Sequence, residues 1–144
     1  MVKVNRLYWI LLISILLPAC SGEDDITVSE TQKYYFLESL KLVEQAGREL
    51  QDSRLTQKKI TLALETMDQG LRLAFQVEND FLDSLDVRLG KNYQRYFVKG
   101  VETYRLGIEA GDKGDQQAGL KLLSQWVEFW SVEQAAIKAK LHPG

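Results

Sequence analysis

Few residues in this chain could do covalent chemistry, and Cys20 is the strongest candidate. It is the only cysteine among 144 residues, and a cysteine thiolate is a good nucleophile. The only histidine, His142, lies near the carboxyl terminus, where chains usually fray. We therefore expect no Ser-His-acid triad.

The amino-terminal segment combines a positive start with a short apolar run. Lys3 and Arg6 carry the charge, residues 7–17 form the run, and Ala19 is a small residue directly before Cys20. A helix needs roughly 20 apolar residues to cross a bilayer, so this run is too short to span. The pattern is typical of a secretory signal peptide, which we predict for residues 1–19.

The residues around Cys20 resemble the lipobox of bacterial lipoproteins. The resemblance lies in Leu17-Pro18-Ala19-Cys20. It implies that the Cys20 thiol receives a diacylglycerol, that the signal peptide is removed and that the new amino terminus is acylated, as with palmitate. More than one acyl chain makes membrane residence stable, and a lipidated Cys20 is not available as a thiol nucleophile or zinc ligand. The alternative is a free thiol behind an ordinary signal peptide.

Residues 20–26 are small and acidic and have no apolar periodicity. We predict that they form a flexible tether that holds the domain close to the bilayer. By resemblance to lipoproteins of Gram-negative bacteria, serine rather than aspartate at Ser21 favours export to the outer membrane. The protein would then be anchored there and face the periplasm.

The charge balance argues against nucleic-acid binding. The chain has 18 basic and 20 acidic residues. Only Lys3 and Arg6 fall within the predicted signal peptide, so the remainder is mildly acidic. Nucleic-acid binding usually depends on counterion release by a basic patch, and the spacing of lysine and arginine offers none.

The rest of the chain has the pattern of amphipathic helices. Pro18 and Pro143 are the only prolines, and a long proline-free segment rich in leucine, alanine and glutamate favours helix. Apolar residues recur at three- and four-residue spacing in four stripes, over residues 36–50, 60–85, 93–108 and 120–137.

Capping signals suggest where these helices begin and end. Thr27 or Ser29 is predicted to begin the first helix. The first helix is predicted to break at residues 51–54, and residues 83–90 are predicted to contain a turn. Gly111 is predicted to end the third helix and Asp115 to cap the fourth. Four helices with short connections predict an all-α fold, an antiparallel four-helix bundle over residues 27–141.

Several carboxylates crowd one part of the second stripe. Glu78, Asp80, Asp83 and Asp86 invite the idea of calcium binding or acid–base catalysis. Helical spacing spreads them over different faces, however, and no EF-hand loop is present. We interpret them as a solvated helix end, and we predict no metal site and no cofactor.

A group of aromatic residues is the most distinctive feature of the last stripe. Trp126, Phe129 and Trp130 share one helical face. They could form the core of the bundle, or some could line a patch that a partner uses. Tyr34 and Tyr35 raise the same question at the other end of the domain.

These patterns favour an interaction protein over an enzyme. We expect a membrane-anchored lipoprotein whose helical domain binds another envelope protein, as an assembly accessory. Small helical lipoproteins that pilot secretin subunits to the outer membrane provide an analogy at the level of anchor and fold class. The alternatives are a protein that holds a small apolar or aromatic ligand between its helices and an enzyme that uses only carboxylates and tyrosines.

Overall fold

The computed structural model describes residues 22–143, and within them the chain is all-α, without a strand. The prediction of an all-α fold is therefore confirmed. The predicted signal peptide and Cys20 lie outside the described residues. The helices are α1 (Gly22–Leu50), α2 (Gln57–Ala74), α3 (Asn79–Leu85), α4 (Leu89–Asn92), α5 (Lys99–Ala110) and α6 (Lys113–Leu141), and a π-helical segment (Tyr93–Val98) joins α4 to α5.

Helix α1 begins earlier than its capping signals predict. It starts at Gly22 rather than at Thr27 or Ser29. Residues 22–26, predicted as part of a flexible tether, are therefore helical. No glycine or proline lies between Gly22 and Gly47, so nothing in the sequence stops the helix from extending to Gly22. The end of α1 at Leu50 agrees with the predicted break.

The second stripe does not form one helix, and that prediction is wrong. Helix α2 ends at Ala74, and α3 begins only at Asn79. The buried side chain of Gln32, on α1, stabilises the segment between α2 and α3 through two hydrogen bonds. Its Nε2 donates to the Gln76 carbonyl at 3.1 Å, and its Oε1 accepts from the Glu78 backbone N–H at 2.7 Å. The apolar stripe nevertheless continues across the break, because three later residues are still buried: Val77, Leu82 and Leu85.

Two loops lead into the remaining helices. The predicted turn at residues 83–90 is confined to residues 86–88, and residues 89–110 are then helical without interruption. Gly111 ends α5 as predicted, in the left-handed conformation at φ 67°. Asp112 rather than Asp115 caps α6, because Asp112 Oδ1 accepts from the Asp115 backbone N–H at 3.0 Å.

Close approaches at glycines bring the helices together in pairs. Helix α1 packs against α2, α5 packs against α6, and α2 also contacts α5. A Cβ added at Gly119 would lie 2.5 Å from the Tyr104 backbone nitrogen, and one at Gly70 would lie 2.9 Å from Val43 Cγ2. These positions therefore need glycine so that α6 can approach α5 and α2 can approach α1.

The core runs between these pairs and includes side chains from α1, α2, the π-helical segment and α6. Its largest fully buried hydrophobic residues are Tyr93, Phe36, Met67, Leu82, Leu89, Ile137 and Val101. None of the helices within residues 22–143 is long and apolar enough to cross a membrane.

Candidate functional site

Trp126 belongs to the core, which was one of the two interpretations of the aromatic group. It is 5% exposed and stacks on Trp130, with ring centroids 5.4 Å apart and planes inclined by 17°. Its ring also meets Tyr93 edge-on at 5.8 Å and Phe97 at 5.4 Å. Rings in such offset and edge-to-face arrangements attract one another beyond the area they bury.

Phe129 and Trp130 are only partly buried and pack against this core. Trp130 meets Phe36 edge-on at 5.8 Å, which ties α6 to α1. Cations cover parts of both rings: Arg88 lies 5.7 Å from the centre of Phe129, and Lys138 Nζ lies 5.9 Å from the centre of Trp130. These two side chains therefore bridge the core and the surface.

Tyr34 and Tyr35 occupy a different part of the surface. Tyr34 is 56% exposed, whereas Tyr35 is half-buried against the core. Their rings lie 6.0 Å apart, and Tyr34 lines a shallow depression together with Lys33 and Leu37. Within residues 29–143, no ring contact joins either tyrosine to Trp126, Phe129 or Trp130, so the predicted interaction residues do not form one continuous patch.

An apolar groove lies between α1 and α6, which approach each other less closely than the helices of either packed pair. We call it the α1/α6 groove. Its volume is about 260 Å³, and it is open to solvent. Its lining comprises Leu40, Val43, Glu44, Phe97, Leu123, Trp126, Val127 and Trp130. Two of the predicted aromatic residues, Trp126 and Trp130, therefore line this groove in addition to packing in or against the core.

Sequence patterning missed that part of the fourth stripe is exposed. Leu120 and Val127 belong to that apolar stripe over residues 120–137, but they are 50% and 62% exposed, and Val127 lines the groove. A signal for this exposure exists in the sequence, because Ser124 and Ser131 continue the same helical row with small polar side chains. Periodicity identified an apolar row but could not distinguish one that faces the core from one that faces a groove.

The carboxylates near α3 have ordinary structural roles. Asp83 Oδ1 accepts from the Gly90 backbone N–H at 3.1 Å, and Asp86 is bonded to Arg88, whose side-chain hydrogen bond lowers the pKa of the Asp86 carboxyl. Glu78 and Asp80 are exposed. In the part of the chain with described coordinates, no group of three or more His, Cys, Asp or Glu side chains could hold a metal ion.

A polar pair lies inside the core, beside the aromatic rings. Ser39 Oγ and Tyr93 Oη are 2.7 Å apart, and both residues are fully buried. Burial raises the pKa of the Tyr93 phenol, although its hydrogen bond with Ser39 acts in the opposite direction. The phenol therefore stays protonated at neutral pH and joins α1 to the π-helical segment.

The α1/α6 groove offers an apolar and aromatic contact surface with one carboxylate, Glu44, at its edge. Such a surface is suited to binding, since aromatic residues are enriched where proteins bind partners. No protein-family model matches the chain, and no curated protein or solved structure matches it significantly.

Proposed function

We propose that this protein is a lipid-anchored component of the bacterial cell envelope whose helical domain binds another envelope protein, in an assembly or scaffold role. The open, apolar α1/α6 groove is the observation that carries the proposal. Water covers apolar side chains there that a partner could bury.

The proposed anchor is lipid on Cys20, at the end of the lipobox-like Leu17-Pro18-Ala19-Cys20. Helix α1 begins only two residues later, at Gly22, so lipid on Cys20 would be joined almost directly to the helical domain. The serine at Ser21 favours the outer membrane over the inner one. The domain would then face the periplasm after removal of residues 1–19.

We also infer that the domain is an antiparallel four-helix bundle. The order of the contacts supports this arrangement, since Gln32, early in α1, bonds to Gln76 after the end of α2, whereas Val43 meets Gly70 within α2. The second pair follows the same rule. Gly107, late in α5, lies against Gln116, and Gly119 lies against Tyr104.

Radiolabelled palmitate tests the anchor. We expect label to enter the wild-type protein and not the Cys20→Ser variant, and we expect only the wild type to sediment with membranes. Equal labelling of both proteins, or labelling of neither, would contradict lipid attachment at Cys20.

Affinity purification of the lipidated protein tests the binding role. We expect one stoichiometric envelope partner to be recovered with the wild type. Val127→Lys, in the groove, should lose this partner, and Val132→Lys should retain it because that side chain is 74% exposed on another face of the same helix. A partner retained equally by both variants would contradict binding through the groove.

A small apolar or aromatic ligand is the second candidate occupant, and the groove's apolar lining favours it. At about 260 Å³, however, the groove is slightly below the range of roughly 300–1,000 Å³ that is usual for ligand pockets. Native mass spectrometry of the purified protein separates the two candidates. A bound small molecule, without any protein partner, would favour the ligand.

A further inference from the structure

We infer that the α1/α6 groove accepts an amphipathic helix of the partner, with an apolar face in the groove, an uncharged flank against α6 and a charged flank against α1. This inference rests on the proposed binding function and specifies which chemistry the partner presents. The two rims of the groove differ in charge.

The α6 rim carries no charge over about three turns of helix. Its exposed residues recur at three- and four-residue spacing and are Leu120, Ser124, Val127 and Ser131. Two turns beyond Ser131 the row reaches Lys138, whose Nζ lies 5.9 Å from the centre of the Trp130 ring. At 1.5 Å per residue the row from Leu120 to Ser131 is about 16 Å long, so a partner helix of about 18 residues would cover it with about one turn beyond each end. A charged side chain placed against Leu120 and Val127 would lose hydration without gaining a counter-charge.

The α1 rim carries charged side chains beside its apolar lining residues. Glu44 lines the groove directly, and Arg48 bonds to it from the next turn. Lys41 lies beside them and bonds to Glu38 at 3.0 Å. Since these charges are exposed and already paired within α1, their main effect would be to select the flank and register of an incoming helix, with little gain in affinity.

The shape of the groove favours a helix over a compact ligand. The groove is open to solvent, and Leu120, two helical turns before Val127 on the same row of α6, adds a further exposed apolar side chain. A compact ligand would leave that side chain uncovered. An amphipathic helix places apolar residues at three- and four-residue spacing, which matches a groove between two helices.

Two synthetic peptides of 18 residues test the inference. Both have leucines at alternating three- and four-residue spacing and contain no tryptophan. The first has glutamine and serine along one flank and lysine with glutamate along the other, whereas the second has lysine with glutamate along both flanks. The protein is purified in the form that its host cells produce and is reconstituted in phosphatidylcholine nanodiscs. Each peptide is then titrated into it while tryptophan emission is recorded.

We expect the first peptide to bind at least about tenfold more tightly than the second, and Val127→Lys to weaken its binding by a similar factor. Val132→Lys, on the other face of α6, should bind as the wild type does. Circular dichroism should show that both variants remain folded, because both valines are exposed.

Four results would overturn the inference: no binding of the first peptide, equal binding of the two peptides, equal loss in the two valine variants, or self-association of the chain that Val127→Lys abolishes. The last result would make a second copy the occupant. Peptide binding does not need the lipid, so its failure beside normal palmitate labelling would affect the groove alone. Peptide binding without labelling would leave the groove intact and contradict the anchor.

Discussion

Ser39 and Tyr93 meet inside the core through oxygen atoms 2.7 Å apart, although 54 residues separate them in the chain. Ser39 Oγ also donates to the Phe36 carbonyl at 2.7 Å. A serine hydroxyl has one proton, so Tyr93 must be the donor in its bond with Ser39. The two residues form a directed chain from phenol to hydroxyl to carbonyl.

This direction makes the two single substitutions unequal. Ser39→Ala removes the acceptor and leaves a buried phenol unpaired, which should lower the free energy of unfolding by about 1–3 kcal/mol. Tyr93→Phe leaves Ser39 bonded to Phe36 and should cost about 1 kcal/mol. Urea unfolding followed by circular dichroism measures both.

Ser84→Ala is the matched control, because its exposed hydroxyl donates to the Phe81 carbonyl at 2.6 Å in the same local pattern. It should change stability by less than about 0.5 kcal/mol. The double variant Ser39→Ala with Tyr93→Phe should cost less than the sum of the two single variants. Strict additivity would mean that the two hydroxyls do not interact.

The buried phenol also predicts loss of stability in alkaline solution. Burial raises the pKa of Tyr93 above its ordinary value of 10.0, so the unfolded chain releases this proton at a lower pH than the folded protein does. The stabilisation from protonated Tyr93 is complete below pH 10 and is lost as the pH rises through and beyond that value, by at most about 1.4 kcal/mol per pH unit. Unfolding midpoints measured from pH 8 to 11 should be less pH-dependent in Tyr93→Phe than in the wild type. Identical profiles for wild type and Tyr93→Phe would contradict the prediction.

Trp126 should matter for folding before it matters for binding. Trp126→Ala removes a nearly buried ring from the core and should lower the free energy of unfolding by about 3–5 kcal/mol. Val127→Ala, one residue later and exposed, should change it by less than about 0.5 kcal/mol. Chemical denaturation compares them, and a stable Trp126→Ala protein would place the ring outside the core.

Two glycines in helices should respond oppositely to alanine. Gly119→Ala would place its Cβ 2.5 Å from the Tyr104 backbone nitrogen and push α6 away from α5, at a cost of about 1–3 kcal/mol. Gly47→Ala meets nothing within 4 Å on α1 and should stabilise the protein by about 0.4–1 kcal/mol, since alanine restricts the unfolded chain. Thermal melts of the two variants should therefore shift in opposite directions. A similar shift in both would show that the close approach at Gly119 is unimportant.

Local signals in the sequence predicted much of the fold. The end of α1 at Leu50 and the left-handed Gly111 both depend on residues within a few positions of each other. The cap of α6 was predicted at Asp115, but Asp112 caps the helix. The break after Ala74 depends instead on Gln32, which is more than forty residues away and bonds to Gln76 and Glu78. The apolar stripe gives no sign of this contact, because Leu82, which follows the break, is buried as it would be in one continuous helix.

The candidate site was harder to predict than the fold. The large rings of Trp126 and Trp130 attracted attention as a possible patch, but one is buried and the other is half-buried. The groove depends on the spacing between α1 and α6, and no local pattern contains that spacing. Val127 can be recognised as a groove residue only from the structure, which places Leu40 and Val43 of α1 in the same groove lining.

If Cys20 carries lipid, as proposed, the start of α1 at Gly22 sets the distance between the groove and the membrane. Along a continuous helix, Val43 in the groove lies about 30 Å from Gly22. With lipid on Cys20, an α1 perpendicular to the membrane would hold the groove well clear of the lipid headgroups. A partner would therefore dock there through the part of the partner that projects into the aqueous compartment.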